Sequence, residues 1–202
     1  MRGREDMRHL LFLGALVFLL EGCATTSPIY TNNACAILAQ KNSFFDNWGK
    51  ASQRAAMHYG IPMPIILATI KMESNFRHNA RPPRTKLFGF IPWKRRSTAY
   101  GYSQALDSTW AMYLRSTGRS FAWRTNFADA ADFVAWYHRQ SVQRNGVRFD
   151  DAYNLYLNYH MGHGAYARSR GQANSSALAQ AAQRMAEISQ KYDRQLRACG
   201  WR

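Results

Sequence analysis

Beyond the first thirty or so residues, apolar side chains recur along the chain at intervals of three and four, the spacing that lines one face of a helix. The last segment shows it most clearly: Leu178, Ala181, Met185, Ile188, Tyr192 and Leu196 form one stripe. Several starts carry a side-chain oxygen able to accept from the unpaired N–H groups of a first turn, namely Asn126 before Phe127, Asp150 before a run through Tyr156, and Ser175 before the last stripe. No alternating run is long enough to demand a large sheet, and there is no internal repeat. The pattern predicts a mainly α chain.

Two segments break it. Residues 81 to 98 mix three prolines, five aromatic or large apolar side chains and six basic ones, and no helix tolerates that proline spacing. A long loop or a small hairpin is expected there, and an insertion of this length inside a compact domain is more often functional than idle. Phe88, Phe90 and Trp93 either stack on a ligand or hold the insertion together, and its positive charges are expected to hold an anionic partner near the rest of the site. The second break, Arg168 to Ser176, reads as a polar linker.

The first residues change the picture of where the chain works. Arg2, Arg4 and Arg8 precede an apolar run from Leu10 to Leu20, which is shorter than the roughly 20 residues a spanning helix needs and has the layout of a secretory signal. It closes on Leu20-Glu21-Gly22-Cys23, which resembles the lipobox of bacterial lipoproteins. That resemblance implies cleavage after residue 22 and a lipid on Cys23; the alternative is ordinary cleavage nearby with Cys23 left as a thiol. Ala24 is not the aspartate associated with retention at the inner membrane, so the resemblance implies a periplasmic protein anchored to the outer membrane. Residues 1–22 are thus read as signal peptide, 23–34 as a lipidated tether rich in Thr, Ser and Asn, and 35–202 as one folded domain.

Charge and cysteines narrow the partners. The chain has a net charge of +15, and the signal's three arginines and three acidic residues cancel on removal. A polyanion is expected: nucleic acid, an anionic membrane face, or the carboxylate-rich peptides of a bacterial wall. Export argues against nucleic acid. Cys35 and Cys199, in an oxidising compartment and without metal-type spacing, are expected to pair, the alternative being two free buried thiols.

Beyond the signal there are two glutamates. Glu187 lies among Gln183, Arg184 and Lys191 on the polar side of the last stripe, where a solvated ion-pairing role is expected. Glu73 ends the apolar run Pro64 to Met72 at its junction with Ser74-Asn75-Phe76. A carboxyl group there is partly desolvated, which raises its pKa and lets it hold a proton near neutrality, as a general acid must. Taken alone, a carboxylate at a helix end is more often structural.

The neighbouring motifs change that balance. Glu73-Ser74, then Gly101-Tyr102-Ser103-Gln104 before Asp107-Ser108-Thr109-Trp110, then Tyr159-His160-Met161-Gly162 stand in an order that resembles the soluble lytic transglycosylase (SLT) family of the lysozyme-like superfamily. The likeness covers about residues 60 to 167, with His160 where the family usually has Asn and with a longer insertion between the first two motifs. It implies a mainly α, lysozyme-like domain of the goose-type lysozyme/SLT kind with a small loop or hairpin insertion. It further implies Glu73 as the catalytic acid and base, Ser74, Tyr102, Gln104 and His160 on the sugar, and Tyr159 orienting the glutamate or the N-acetyl group. Peptidoglycan glycan strands are the implied substrate.

Most glycosidases use two carboxylates. No acidic residue lies between Glu73 and Asp107, and Asp107 sits where a helix N-cap is expected. A single-carboxylate reaction is therefore favoured: protonation of the bond between N-acetylmuramic acid and N-acetylglucosamine, closed by the muramic C6 hydroxyl into a 1,6-anhydro sugar. The competing readings are a hydrolytic muramidase and a non-catalytic glycan-binding envelope lipoprotein. No cofactor or metal is expected, His160 and His163 having no further ligand at a suitable spacing.

Overall fold

A computed structural model describes residues 28–40 and 47–201. The signal segment, Cys23 and residues 24–27 of the tether lie outside the described residues.

Eight helices and one hairpin are formed by the described residues: α1 (Ala34–Leu38), α2 (Trp48–Tyr59), α3 (Met63–Ser74), β1 (Arg84–Leu87), β2 (Ile91–Arg95), α4 (Asp107–Thr117), α5 (Phe127–Asn145), α6 (Ala152–Met161), α7 (His163–Arg168) and α8 (Ser176–Ala198). α3 is apolar on every side and is buried from Ile65 to Ile70, so it must lie inside the bundle. It packs against α2, α5 and α8, while α6 closes the space between α5 and α8.

The helix starts follow from local chemistry. Asn126 accepts from the Asp129 N–H and Ser175 from the Leu178 N–H, as expected for caps. The cap of α6 is Asp151 rather than Asp150: Asp151 accepts from the Asn154 N–H, and Asp150 is engaged by both Nε and Nη2 of Arg148. Asp107 is the first residue of α4, not its cap, and its carboxylate pairs with Arg124 at 2.7 Å. The buried stripe of α8 runs through Leu178, Ala182, Met185, Ser189, Tyr192 and Leu196, with Ala181 and Ile188 only half-buried. A spacing of four, three, four, three keeps that line straight on the helix, and the small Ser189 lets α8 approach closely.

The folded body begins before residue 35. Tyr192 Oη donates to the Thr31 carbonyl, Lys71 Nζ to Thr31 Oγ1 at 2.8 Å, and the Ala34 N–H to Gln195 Oε1 at 2.8 Å, so residues 31–34 are clamped between α3 and α8. Cys35 and Cys199 form a disulfide with Cα atoms 6.3 Å apart, tying α1 to the end of α8.

Four rings from distant segments meet in the core. Trp48 stacks on Phe127 with ring centres 3.8 Å apart, Tyr102 meets both edge-on at 5.6 and 5.7 Å, and Phe76 leans on Trp48 at 6.1 Å. The insertion is an antiparallel hairpin pairing Arg84 with Arg95, Lys86 with Pro92 and Leu87 with Ile91. Its turn is made by Phe88 (φ 52°) and Gly89 (φ 81°), two successive positive values that suit a tight hairpin.

Candidate active site

Glu73 sits in the last turn of α3, which ends because Asn75 (φ 51°) takes the left-handed conformation and its N–H closes on the Lys71 carbonyl. Phe76 is also left-handed (φ 60°), an unfavourable state for an aromatic residue, and its ring is fully buried in the aromatic cluster. Burial of that ring thus holds the turn that presents Glu73.

The glutamate side chain is half-buried as a whole, but Oε1 is fully enclosed and has no hydrogen-bond partner among the described residues. Desolvation raises its pKa from 4.5 to about 7, opposed by a hydrogen bond with the Tyr156 hydroxyl that favours the charged form. Tyr156 and Tyr159, three apart on α6, present one face to it: desolvation and the negative charge of Glu73 push both phenols up.

The second motif supplies the opposite wall. Gly101 (φ 76°) donates its N–H to the Ala80 carbonyl, and a side chain there would place Cβ 2.1 Å from the Arg124 carbonyl oxygen. Only glycine fits. Arg124 braces the loop, donating to the Thr98 and Ala105 carbonyls while holding Asp107. The loop so fixed points the Ser103 carbonyl at Tyr159, whose hydroxyl donates to it at 2.6 Å. Ser103 Oγ is buried without a partner among the described residues.

Glu73, Tyr156, Tyr159 and the backbone of Ser103 are therefore brought together. The other residues expected to touch sugar are placed differently. Ser74 is buried and its hydroxyl donates back to the Ile70 carbonyl at 3.2 Å. Tyr102 is fully buried in the aromatic cluster. Gln104 is half-buried, and its Nε2 donates to the Ala80 and Gly101 carbonyls at 2.9 and 2.8 Å. These three hold the loop and the helix end in register. His160 is exposed on the last turn of α6, 6.2 Å from the Tyr156 ring, whereas His163 is stacked on Tyr137 and bonded to Ser141 Oγ at 3.0 Å. The two histidines thus have different surroundings.

Sequence reasoning missed Tyr156 and Ser103. Tyr156 lies one helical turn before Tyr159, so the spacing was there to find it; the role of Ser103 is carried by its backbone, on which side-chain identity is silent. His138 is buried with its ring 5.4 Å from that of Tyr159, bonded to Thr69 Oγ1 at 2.9 Å and kept neutral by burial. A carboxyl group that keeps its proton near neutrality, backed by two phenols, is equipped to give a proton to a leaving oxygen and take one back.

The family profile described as the transglycosylase SLT domain matches residues 11–199. No curated relative matches the sequence. A solved structure, of an inactive glutamate-to-glutamine mutant of the lytic transglycosylase Slt from Pseudomonas aeruginosa, is similar with a TM-score of 0.52 and 18% identity, over 82% of this chain and 28% of that one. This chain spans little more than a quarter of that protein's length, and the likeness is one of fold. By the extent of the profile match, this chain belongs to the transglycosylase SLT domain family and carries its helical, lysozyme-like fold.

Proposed function

We propose that this chain is a peptidoglycan lytic transglycosylase in which Glu73 acts first as acid and then as base. The carrying observation is the enclosed, unpaired Oε1 of a carboxyl group held at about pKa 7. In its protonated form Glu73 gives its proton to the oxygen between N-acetylmuramic acid and N-acetylglucosamine, and the bond to the muramic C1 breaks. The carboxylate then takes the proton from the muramic C6 hydroxyl as that oxygen bonds to C1. The product is a 1,6-anhydro sugar, the glutamate is restored, and no water is consumed. The Tyr156 hydroxyl stabilises the carboxylate between the two transfers.

A hydrolase would need a second acid to activate water. Asp107 and Asp132 are both engaged elsewhere: Asp107 by Arg124, and Asp132 by the hydroxyls of Tyr113 (2.7 Å) and Tyr59 (3.1 Å) and by Arg119. Mass spectrometry of muropeptides released from purified sacculi decides between the reactions. Anhydro products are lighter by one water than hydrolysis products and resist borohydride; reducible ends would establish hydrolysis, and an active Glu73→Gln variant would remove the catalytic assignment.

We further propose that the enzyme works in the periplasm, held to the outer membrane by a lipid on Cys23. Cys23→Ser is expected to abolish labelling by palmitate and to shift the protein out of the membrane fraction; unchanged labelling would end that proposal.

A further inference from the structure

The β1–β2 hairpin carries a pattern that proton transfer at Glu73 does not use. From Leu87 to Trp93, seven successive residues bear no charged, hydroxyl or amide side chain. They are not covered: Phe88 is 79% exposed, Phe90 72%, Trp93 49% and Ile91 43%. A cluster of this kind left in water marks a contact surface. Directly behind it stand Arg84 and Lys86 on one strand and Lys94, Arg95 and Arg96 on the other side of the turn.

The charges are arranged against the hairpin's own stability. Arg84 and Arg95 are cross-strand partners, and like charges directly opposite each other destabilise a ladder. Their guanidinium groups donate only to backbone carbonyls, Arg84 to Trp93 at 3.3 Å and Arg95 to Pro82 at 2.7 Å. None of the five basic residues pairs with an acid among the described residues, and none lies in the sequence from Ser74 to Leu106. The pairing puts Arg84 with Arg95 and Lys86 with Pro92 on one face and Leu87 with Ile91 on the other, a register irregularity between Arg84 and Lys86 turning Arg95 to the face opposite Ile91. An uncompensated cationic face and an apolar tip call for a partner that is anionic on its surface and apolar just beneath.

We propose that the hairpin docks on an anionic lipid bilayer, with Phe88, Phe90, Ile91 and Trp93 at the depth of the upper acyl chains and the five basic residues at the level of the phosphates. A glycan strand fits less well: its hydroxyls need hydrogen-bond partners, and the tip offers one, the indole N–H of Trp93. No helix among the described residues is long and apolar enough to cross a membrane, so this contact lies on the bilayer and does not span it.

The test uses the full chain with vesicles of phosphatidylcholine, alone or mixed with phosphatidylglycerol, containing brominated acyl chains that quench nearby tryptophan. Quenching in the anionic vesicles is expected, and Trp93→Phe is expected to remove most of it. Replacing Lys94, Arg95 and Arg96 together by Gln should raise the lipid concentration for half-maximal Trp93 quenching about a hundredfold at low salt. Phe88→Ser with Phe90→Ser should weaken it independently; these positions are exposed, so an unchanged melting curve accompanies both variants. Quenching that survives Trp93→Phe, or that is equal in neutral and anionic vesicles, or that ignores the triple variant, overturns the proposal. So does loss of binding to purified sacculi by these variants with Trp93 quenching intact, which would assign the hairpin to the wall. No arm reads glycan cleavage, so failure here leaves the Glu73 proposal untouched.

Discussion

Glu73 ionises at a cost to the fold. With its carboxyl group held at about 7 instead of 4.5, the protonated form is favoured in the native state by roughly 3 kcal/mol. The folded chain binds this proton more tightly than the unfolded chain, so the stabilisation is complete below about pH 4.5 and is lost as pH rises from there to about 7. Glu73→Gln cannot ionise; it is expected to melt close to the parent at pH 4 and to be more stable at pH 8 by roughly 1–3 kcal/mol, while losing glycan cleavage. On the proposed mechanism the parent's activity falls as pH rises through about 7, since the first step needs the proton. Tyr156→Phe removes the donor that favours the carboxylate and should carry that alkaline limb to higher pH, which a pH–rate profile will read. The desolvated setting of Glu73 was legible in the sequence because the residue closes an apolar run, whereas the spacing of Tyr156 and Tyr159 shows only that they share a helix face, not that Glu73 lies against it.

At the scale of elements, the site depends on one loop that only glycine permits. Gly101→Ala forces Cβ against a backbone carbonyl at a positive φ, so neither partner can yield cheaply, and a loss of at least about 2 kcal/mol in thermal unfolding is expected. Gly49 makes a useful contrast. A Cβ there would meet the outer ring atoms of Trp201 at 2.5 Å, which can swing away, and the Leu38 carbonyl oxygen at 3.1 Å, which need yield only slightly, so Gly49→Ala should cost less and raise the exposure of Trp201. Helix positions were readable from three-and-four spacing because burial imposes it directly. Cap residues were readable only to within one position: Asp150 and Asp151 are chemically equivalent candidates, and Arg148 occupies the first. Asp107 could not be placed as an ion-pair partner because Arg124 reaches it through folding alone.

For the whole molecule, the Cys35–Cys199 bond closes a loop with a sequence separation of 164, and removing it should lower stability by about 2–5 kcal/mol, measured by denaturant unfolding with and without reductant. The mainly α architecture was legible from periodicity, but a hairpin could not be told from a loop across residues 81–98, since the turn rests on backbone angles at Phe88 and Gly89 rather than on a familiar turn pair. The clamp on residues 31–34 was hidden for a related reason: a Thr- and Asn-rich stretch reads as linker until α8 arrives to bind its carbonyls. The aromatic cluster sets an order in time. Trp48, Phe76, Tyr102 and Phe127 are brought together from widely separated parts of the chain, and such non-local contacts repay their loop-closure entropy later than the local contacts of a helix. α3 can therefore coil early while the left-handed turn at Asn75 and Phe76 waits for the rings to stack. On refolding, helical circular dichroism should return first and glycan cleavage only later, because the glutamate has no fixed aim until the last of those distant rings has docked.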